Sequence, residues 1–175
     1  MAKRPVDQQE EATAFYADRN FDVSFFPAMW HTLKVGHLIS IDLEHICKQH
    51  KISIADLHLM GAIRTQGATP LRAADLALWL NVSNAVLSSR VKKLSQHGLL
   101  TRTPSANDRR AYTLELTQTG IEVIDAASDD INAKANFVHS FRQLSIADQT
   151  TLARIMGELH NELDRYFIPT SRGDL

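Results

Sequence analysis

Residues 81–83, Asn81, Val82 and Ser83, interrupt two stretches of helical periodicity, and a break this short forces the flanking helices to pack across one another. Before the break, Pro70 stands where a first helical turn tolerates it, and Leu71, Ala74, Leu76, Ala77 and Leu80 carry a helix to Asn81. Asparagine accepts the left-handed conformation that a sharp turn demands, and Ser83 can accept a hydrogen bond from an orphan amide of the next helix. That helix runs to about His97 and stops at Gly98, a natural C-terminal cap. Leu87, Val91 and Leu94 fall at i, i+4 and i+7 and define its buried stripe.

Residues 99–104 and 111–117 read as two strands, because Tyr112, Leu114 and Leu116 alternate with Thr113 and Glu115, with a polar connection between the strands. Helix, tight turn, helix and hairpin together make a winged helix-turn-helix, whose second helix is the element sized for a major groove. With Leu87, Val91 and Leu94 inward, Ala85, Ser89, Lys92 and Gln96 lie on the opposite face, flanked by Ser88 and Lys93. Charge is segregated along the chain although the net is only −1. Residues 83–110 hold six bases against one acid, whereas residues 121–168 hold eight acids against four bases. A local basic patch is the usual footprint of phosphate contact. The expected DNA-contacting set on the helix is Ser83, Asn84, Ser88, Ser89, Arg90, Lys92 and Lys93.

The rest of the chain reads as helix. A polar extension covers 1–27, with a short helix expected over 8–18 that ends before Pro27. Residues 28–51 lack proline and carry a dense apolar pattern, which predicts a long helix buried on more than one side. Ser53 can cap the next helix, with Leu57, Met60, Ala62 and Ile63 inward and Gly67 closing it. Gly120 lies near the start of a fifth helix through Ile124, Ala127, Ile131, Ala135 and Val138, and Ser145 opens a sixth through Leu152, Ile155, Met156, Leu159 and Leu163. These long amphipathic helices exceed what a small winged lobe needs for its own core, so 28–52 and 118–168 are expected to form a helical dimerisation region around a lobe at 53–117. The fold class is thus mainly α with a small β-hairpin wing, and a homodimer is the expected assembly. No run of eighteen apolar residues occurs and the first twenty residues are polar, which predicts a cytoplasmic chain with no membrane partner. The one cysteine, Cys47, excludes an internal disulfide.

Gly98, Leu99, Leu100, Thr101 and Arg102, then Asn107, Asp108, Arg109 and Arg110, then 114–117 and Gly120 resemble the MarR family signature around its wing. With the preceding helices the likeness covers about 30–167. The resemblance implies a DNA-binding transcription regulator, expected to be a repressor, in which Asp108 shapes the wing and Arg109 and Arg110 contact DNA. Arg90 matches an arginine seen in the recognition helix of related members. It further implies a small, often aromatic effector in a crevice between the dimer helices and the DNA-binding lobe. The N-terminal segment resembles that of the urate-responsive branch, with His58 standing in place of that branch's aspartate.

Trp30, Lys34 and His37 lie on one face of the first long helix, and together with His58 would suit an aromatic carboxylate. Two other modes of sensing remain open: metal through some of the eight histidines, or oxidation of Cys47. His31, His37, His45 and His50 do not share a helical face, and Cys47 lies near a helix C-terminus, where the dipole disfavours a thiolate. No phosphate loop, dinucleotide fingerprint, nucleophile elbow or credible triad is present, so neither catalysis nor a cofactor is expected. A winged domain used only for protein contacts is the remaining class, and the paired arginines argue against it.

Overall fold

The computed structural model describes residues 5–66, 73–104 and 112–167. In chain order the elements are α1 (Pro5–Ala17), α2 (Phe26–Gln49), α3 (Ile54–Gln66), α4 (Ala73–Trp79), α5 (Asn84–Gln96), β1 (Leu100–Pro104), β2 (Tyr112–Leu116), α6 (Gln118–Lys134), α7 (Asn136–Arg142) and α8 (Ile146–Phe167). Two compact units result, 1–42 and 43–175, and the division falls inside α2.

In the first unit, α1 gives way to a turn at Asn20, which takes φ 61°, and Phe21 N–H donates back to the Tyr16 carbonyl. Rings then pack in series: Tyr16 meets Phe21 and Phe26, and Phe26 meets Trp30. Pro27 does not precede the long helix but sits in its first turn, where its missing N–H leaves no bond unmade. The expectation that this helix is buried on more than one side fails for the single chain. Only Ile46 and Cys47 of α2 are buried, while Met29, Leu33, Leu38 and Ile41 are exposed.

The second unit is built on one apolar cluster, including Leu59, Met60, Leu76, Leu87, Val91, Leu94, Leu100, Leu114 and Ile124. α3 packs on α6 and β2, α4 on α5 and β2, and α5 on β1. The same device ends three helices, α2, α4 and α5. At α5, Gly98 takes φ 70°, Leu99 N–H donates to the Leu94 carbonyl and Gly98 N–H to that of Ser95, and the flanking Leu94 and Leu99 are both buried. This Schellman closure satisfies two orphan carbonyls while turning the chain into β1. Asn81 (φ 50°) closes α4 through Val82 N–H to Ala77 O, and Lys51 (φ 60°) closes α2 through Ile52 N–H to Cys47 O.

β1 and β2 pair antiparallel, with Leu100 opposite Leu116 and Arg102 opposite Leu114. Thr117 then caps α6: its hydroxyl accepts from Gly120 N–H at 3.0 Å and donates to the Gly98 carbonyl at 2.7 Å, and its own N–H donates to Leu99 O at 3.1 Å. The start of α6 is therefore laced to the corner between α5 and β1.

The expected fifth helix is two helices. Ala135, at φ −66° and ψ 127°, breaks it, and Arg142 of α7 folds back to donate to the Asn132 carbonyl and side chain at 3.0 and 2.6 Å. A guanidinium at the C-terminal end of α6 supplies a donor to one of the carbonyls of its last turn. Ser145 opens α8 as expected, in a reciprocal cap with Asp148 (2.7 and 3.1 Å). Among the described residues, no helix is long and apolar enough to cross a membrane.

Candidate nucleic-acid interface

α5 is fixed from three sides before any of its outer face is committed. Leu87, Val91 and Leu94 are buried, as the spacing predicts. Ser83 is extended (φ −68°, ψ 152°) and its hydroxyl accepts from Val86 N–H at 3.3 Å, so the helix begins where the sequence places it. Gly98 ends it. The face left over carries Asn84, Ser88, Ser89 and Lys92, all exposed, with Arg90 half-buried at its margin. A row of short hydroxyls beside a cation permits close approach to base edges with charge in reach of phosphate. Asp108, Arg109 and Arg110 lie outside the described residues, as do Pro70, Leu71 and Gly67; the strands that carry the wing loop are described and paired.

Lys93 behaves differently from its neighbour Lys92. Its ammonium lies 2.8 Å from Oδ2 of Asp56, a residue only 1% exposed at the start of α3. The same oxygen accepts from Ser53 N–H (3.0 Å) and from the Ser53 hydroxyl (2.8 Å), and Asp56 N–H donates to Ser53 Oγ at 3.1 Å. Burial works to raise the Asp56 carboxyl, but the bonds from Lys93 and Ser53 outweigh it and hold the group below the ordinary carboxylate range. Glu44 completes the helix start by accepting from Ile54 N–H at 3.0 Å. Sequence reasoning identified Ser53 but missed Asp56. The acid three residues after a capping serine is a readable signal, whereas its partner 37 residues away leaves none.

The four residues expected to hold an effector do not all share a unit. Trp30, Lys34 and His37 are on α2 in the first unit, where Lys34 Nζ stands 5.1 Å from the Trp30 ring centroid. His58 is exposed on α3 in the second. A separate cleft of about 380 Å³ opens within the second unit, lined by Leu57, Gly61 and Arg64 of α3 and by Ile124, Ile131 and Val138 beyond it. Arg64 pairs there with Asp125 at 3.2 Å. Cys47 is fully buried, and burial first, then the nearby Glu44 and Asp56 carboxylates, push its thiol up. Among the described residues no cluster of histidine, cysteine and carboxylate groups could hold a metal ion.

Two crossed helices closed by a left-handed asparagine, followed by a capped outward helix and an antiparallel hairpin, define a winged helix-turn-helix protein. Residues 52–112 match the sequence model of the MarR family. It is 24% identical over 132 residues to the HTH-type transcriptional regulator PecS of Dickeya dadantii, covering 74% of this chain and 78% of that protein. Its fold is similar to that of a cysteine-to-serine variant of E. coli MarR complexed with operator DNA (TM-score 0.68, 18% identity, 78% of this chain and 96% of that one). It is similar also to S. aureus MepR in a DNA complex (TM-score 0.69, 19% identity, 77% and 96%).

Proposed function

We propose that this chain is a sequence-specific, DNA-binding transcription regulator of the MarR type that acts in the cytoplasm as a homodimeric repressor. Residues 53–117 form the DNA-binding lobe, and 28–52 with 118–168 join the two copies. The observation that carries the reading is the outer face of α5, where Asn84, Ser88, Ser89 and Lys92 stand exposed on a helix capped at both ends and anchored by three buried side chains. In this reading α5 enters the major groove, and Asp108 shapes a wing whose Arg109 and Arg110 reach the adjacent minor groove. The solved relatives bound to DNA support the assignment by analogy of fold.

Support for the dimer comes from α8. Leu152, Ile155, Met156, Leu159 and Leu163 run along it at helical spacing and are 38 to 54% exposed in the single chain. A contiguous apolar stripe of that length is costly to leave in water, and a two-fold copy covers it with the same surface. The small-molecule effector is read as an aromatic acid, with Trp30, Lys34 and His37 on α2 and His58 on α3 as the residues to test for its recognition. It would release DNA by favouring a separation of the two α5 helices that does not fit the operator, and a coupling of about 1 to 3 kcal/mol corresponds to some 5- to 150-fold in affinity.

Anisotropy titrations of the protein against its own upstream DNA and against a random duplex of equal length test the DNA reading. Tighter binding to the upstream fragment is expected, and equal affinity for both would refute sequence-specific recognition. For the effector, His58→Ala is expected to bind DNA normally and lose release by an aromatic acid. Release undiminished in both His58→Ala and Lys34→Ala would remove the pocket from these residues.

A further inference from the structure

We propose that Asp56 is a positioning residue for the DNA-reading helix: by pairing with Lys93 it keeps that cation off the phosphate backbone and so sets the ratio of specific to indiscriminate DNA binding. This rests on the DNA-binding reading above. Lys92 and Lys93 are adjacent on α5 and equivalent in composition, but their surroundings differ. Lys93 spans from α5 to the first turn of α3, where Oδ2 of Asp56 already holds the two Ser53 donors. Of these three donors Lys93 is the charged one. The carboxylate side chain is 2% exposed, so releasing Lys93 to a phosphate would leave a buried anion held by one hydroxyl and one amide, which is strongly disfavoured.

The lysine side chain is itself half exposed, which leaves its ammonium at the lip of the core rather than inside it. Phosphates at that flank would attract a free cation whatever the base sequence, because the DNA backbone is the same along every sequence. Paired with Asp56, Lys93 adds no net charge to that flank. The tie also bears on geometry: a link from α5 to α3 resists rotation of α5 about its own axis, and that rotation decides whether Ser88, Ser89 and Lys92 face outward.

Asp56→Asn keeps an acceptor for the Ser53 donors and removes the attraction for Lys93. The expected result is a steeper dependence of DNA affinity on salt, by about 0.9 in log–log slope per freed lysine, or about 12-fold more affinity lost per dimer over a fourfold rise in salt. Preference for the upstream fragment over the random duplex should fall, and the double variant Asp56→Asn/Lys93→Met should return the slope to the wild-type value. Thermal unfolding identifies which variants are folded. A folded Asp56→Asn protein with wild-type slope overturns the proposal, as does a slope below wild type in the double variant, which carries no stranded charge. If Asp56→Asn does not fold, the slope of the double variant decides alone. Wild-type protein that binds neither duplex would refute the DNA-binding reading itself, whereas binding with unaltered slopes in the variants refutes only the role of Asp56.

Discussion

Replacing Gly120 by alanine sets two elementary effects against each other at one atom. Helix propensity favours alanine by about 1 kcal/mol, so an exposed glycine in a first turn would be an invitation to stabilise the protein. At Gly120 the added Cβ would collide with the carbonyl oxygen of Leu99 and stand 2.9 Å from its carbonyl carbon. Both are backbone atoms, and no rotamer change can move them aside. Leu99, Leu100 and Ile124 around this point are buried, so relief requires α6 to back away from the α5–β1 corner. That movement stretches the Thr117 bonds to Leu99 O and Gly98 O, now 3.1 and 2.7 Å. Overpacking costs about 1 to 3 kcal/mol and each weakened bond about 1, so after the propensity gain a net loss of about 2 to 4 kcal/mol is expected. For a chain of this size each kcal/mol moves the midpoint by about 2 to 4 °C, which puts the fall in Tm on the order of 10 °C. Calorimetry or circular dichroism at fixed protein concentration reads it directly. A Tm equal to or above wild type would mean that the close approach of α6 to Leu99 is not as described.

Arg109→Ala/Arg110→Ala is expected to weaken DNA binding and flatten its salt dependence by about 0.9 in slope for each phosphate no longer neutralised, and unchanged affinity would remove the wing from the interface. Ser88→Ala or Ser89→Ala should instead alter preference among operator variants by about 1 to 3 kcal/mol for each base interaction removed; a uniform weakening on all DNA would place the residue on the backbone. Leu159→Asp/Leu163→Asp puts two carboxylates into the exposed stripe of α8 and should shift the protein to monomer in sedimentation at micromolar concentration, while a persisting dimer would locate the interface elsewhere. Cys47, fully buried with its thiol pushed up, should react with a thiol reagent slowly in the folded protein and rapidly in denaturant; equal rates would contradict its burial.

The DNA-reading half of the fold was legible in the sequence because local chemistry decides it. Asn81 and Gly98 are residue types that accept positive φ, Ser83 flanks the helix it caps, and the 87, 91, 94 spacing has one buried solution. Where the reading went astray, the deciding interaction was not local. The apolar period through Ile131, Ala135 and Val138 survives the break at Ala135, and the break is stabilised by Arg142 reaching back over ten residues to Asn132. The pairing of Lys93 with Asp56, 37 residues away, has no local signal at all. The apolar density of 28–51 reflected a true surplus of hydrophobic surface, which the single chain leaves largely exposed on α2.

Nuclease footprinting of the protein on its own upstream DNA tests the central claim most directly, since it asks at once whether binding is sequence-specific and whether it is two-fold. The expected result is protection of an imperfect palindrome with half-site centres about one helical turn apart, lost when either half is scrambled. Uniform protection without a site, or a single asymmetric half-site that binds as tightly as the whole, would contradict it.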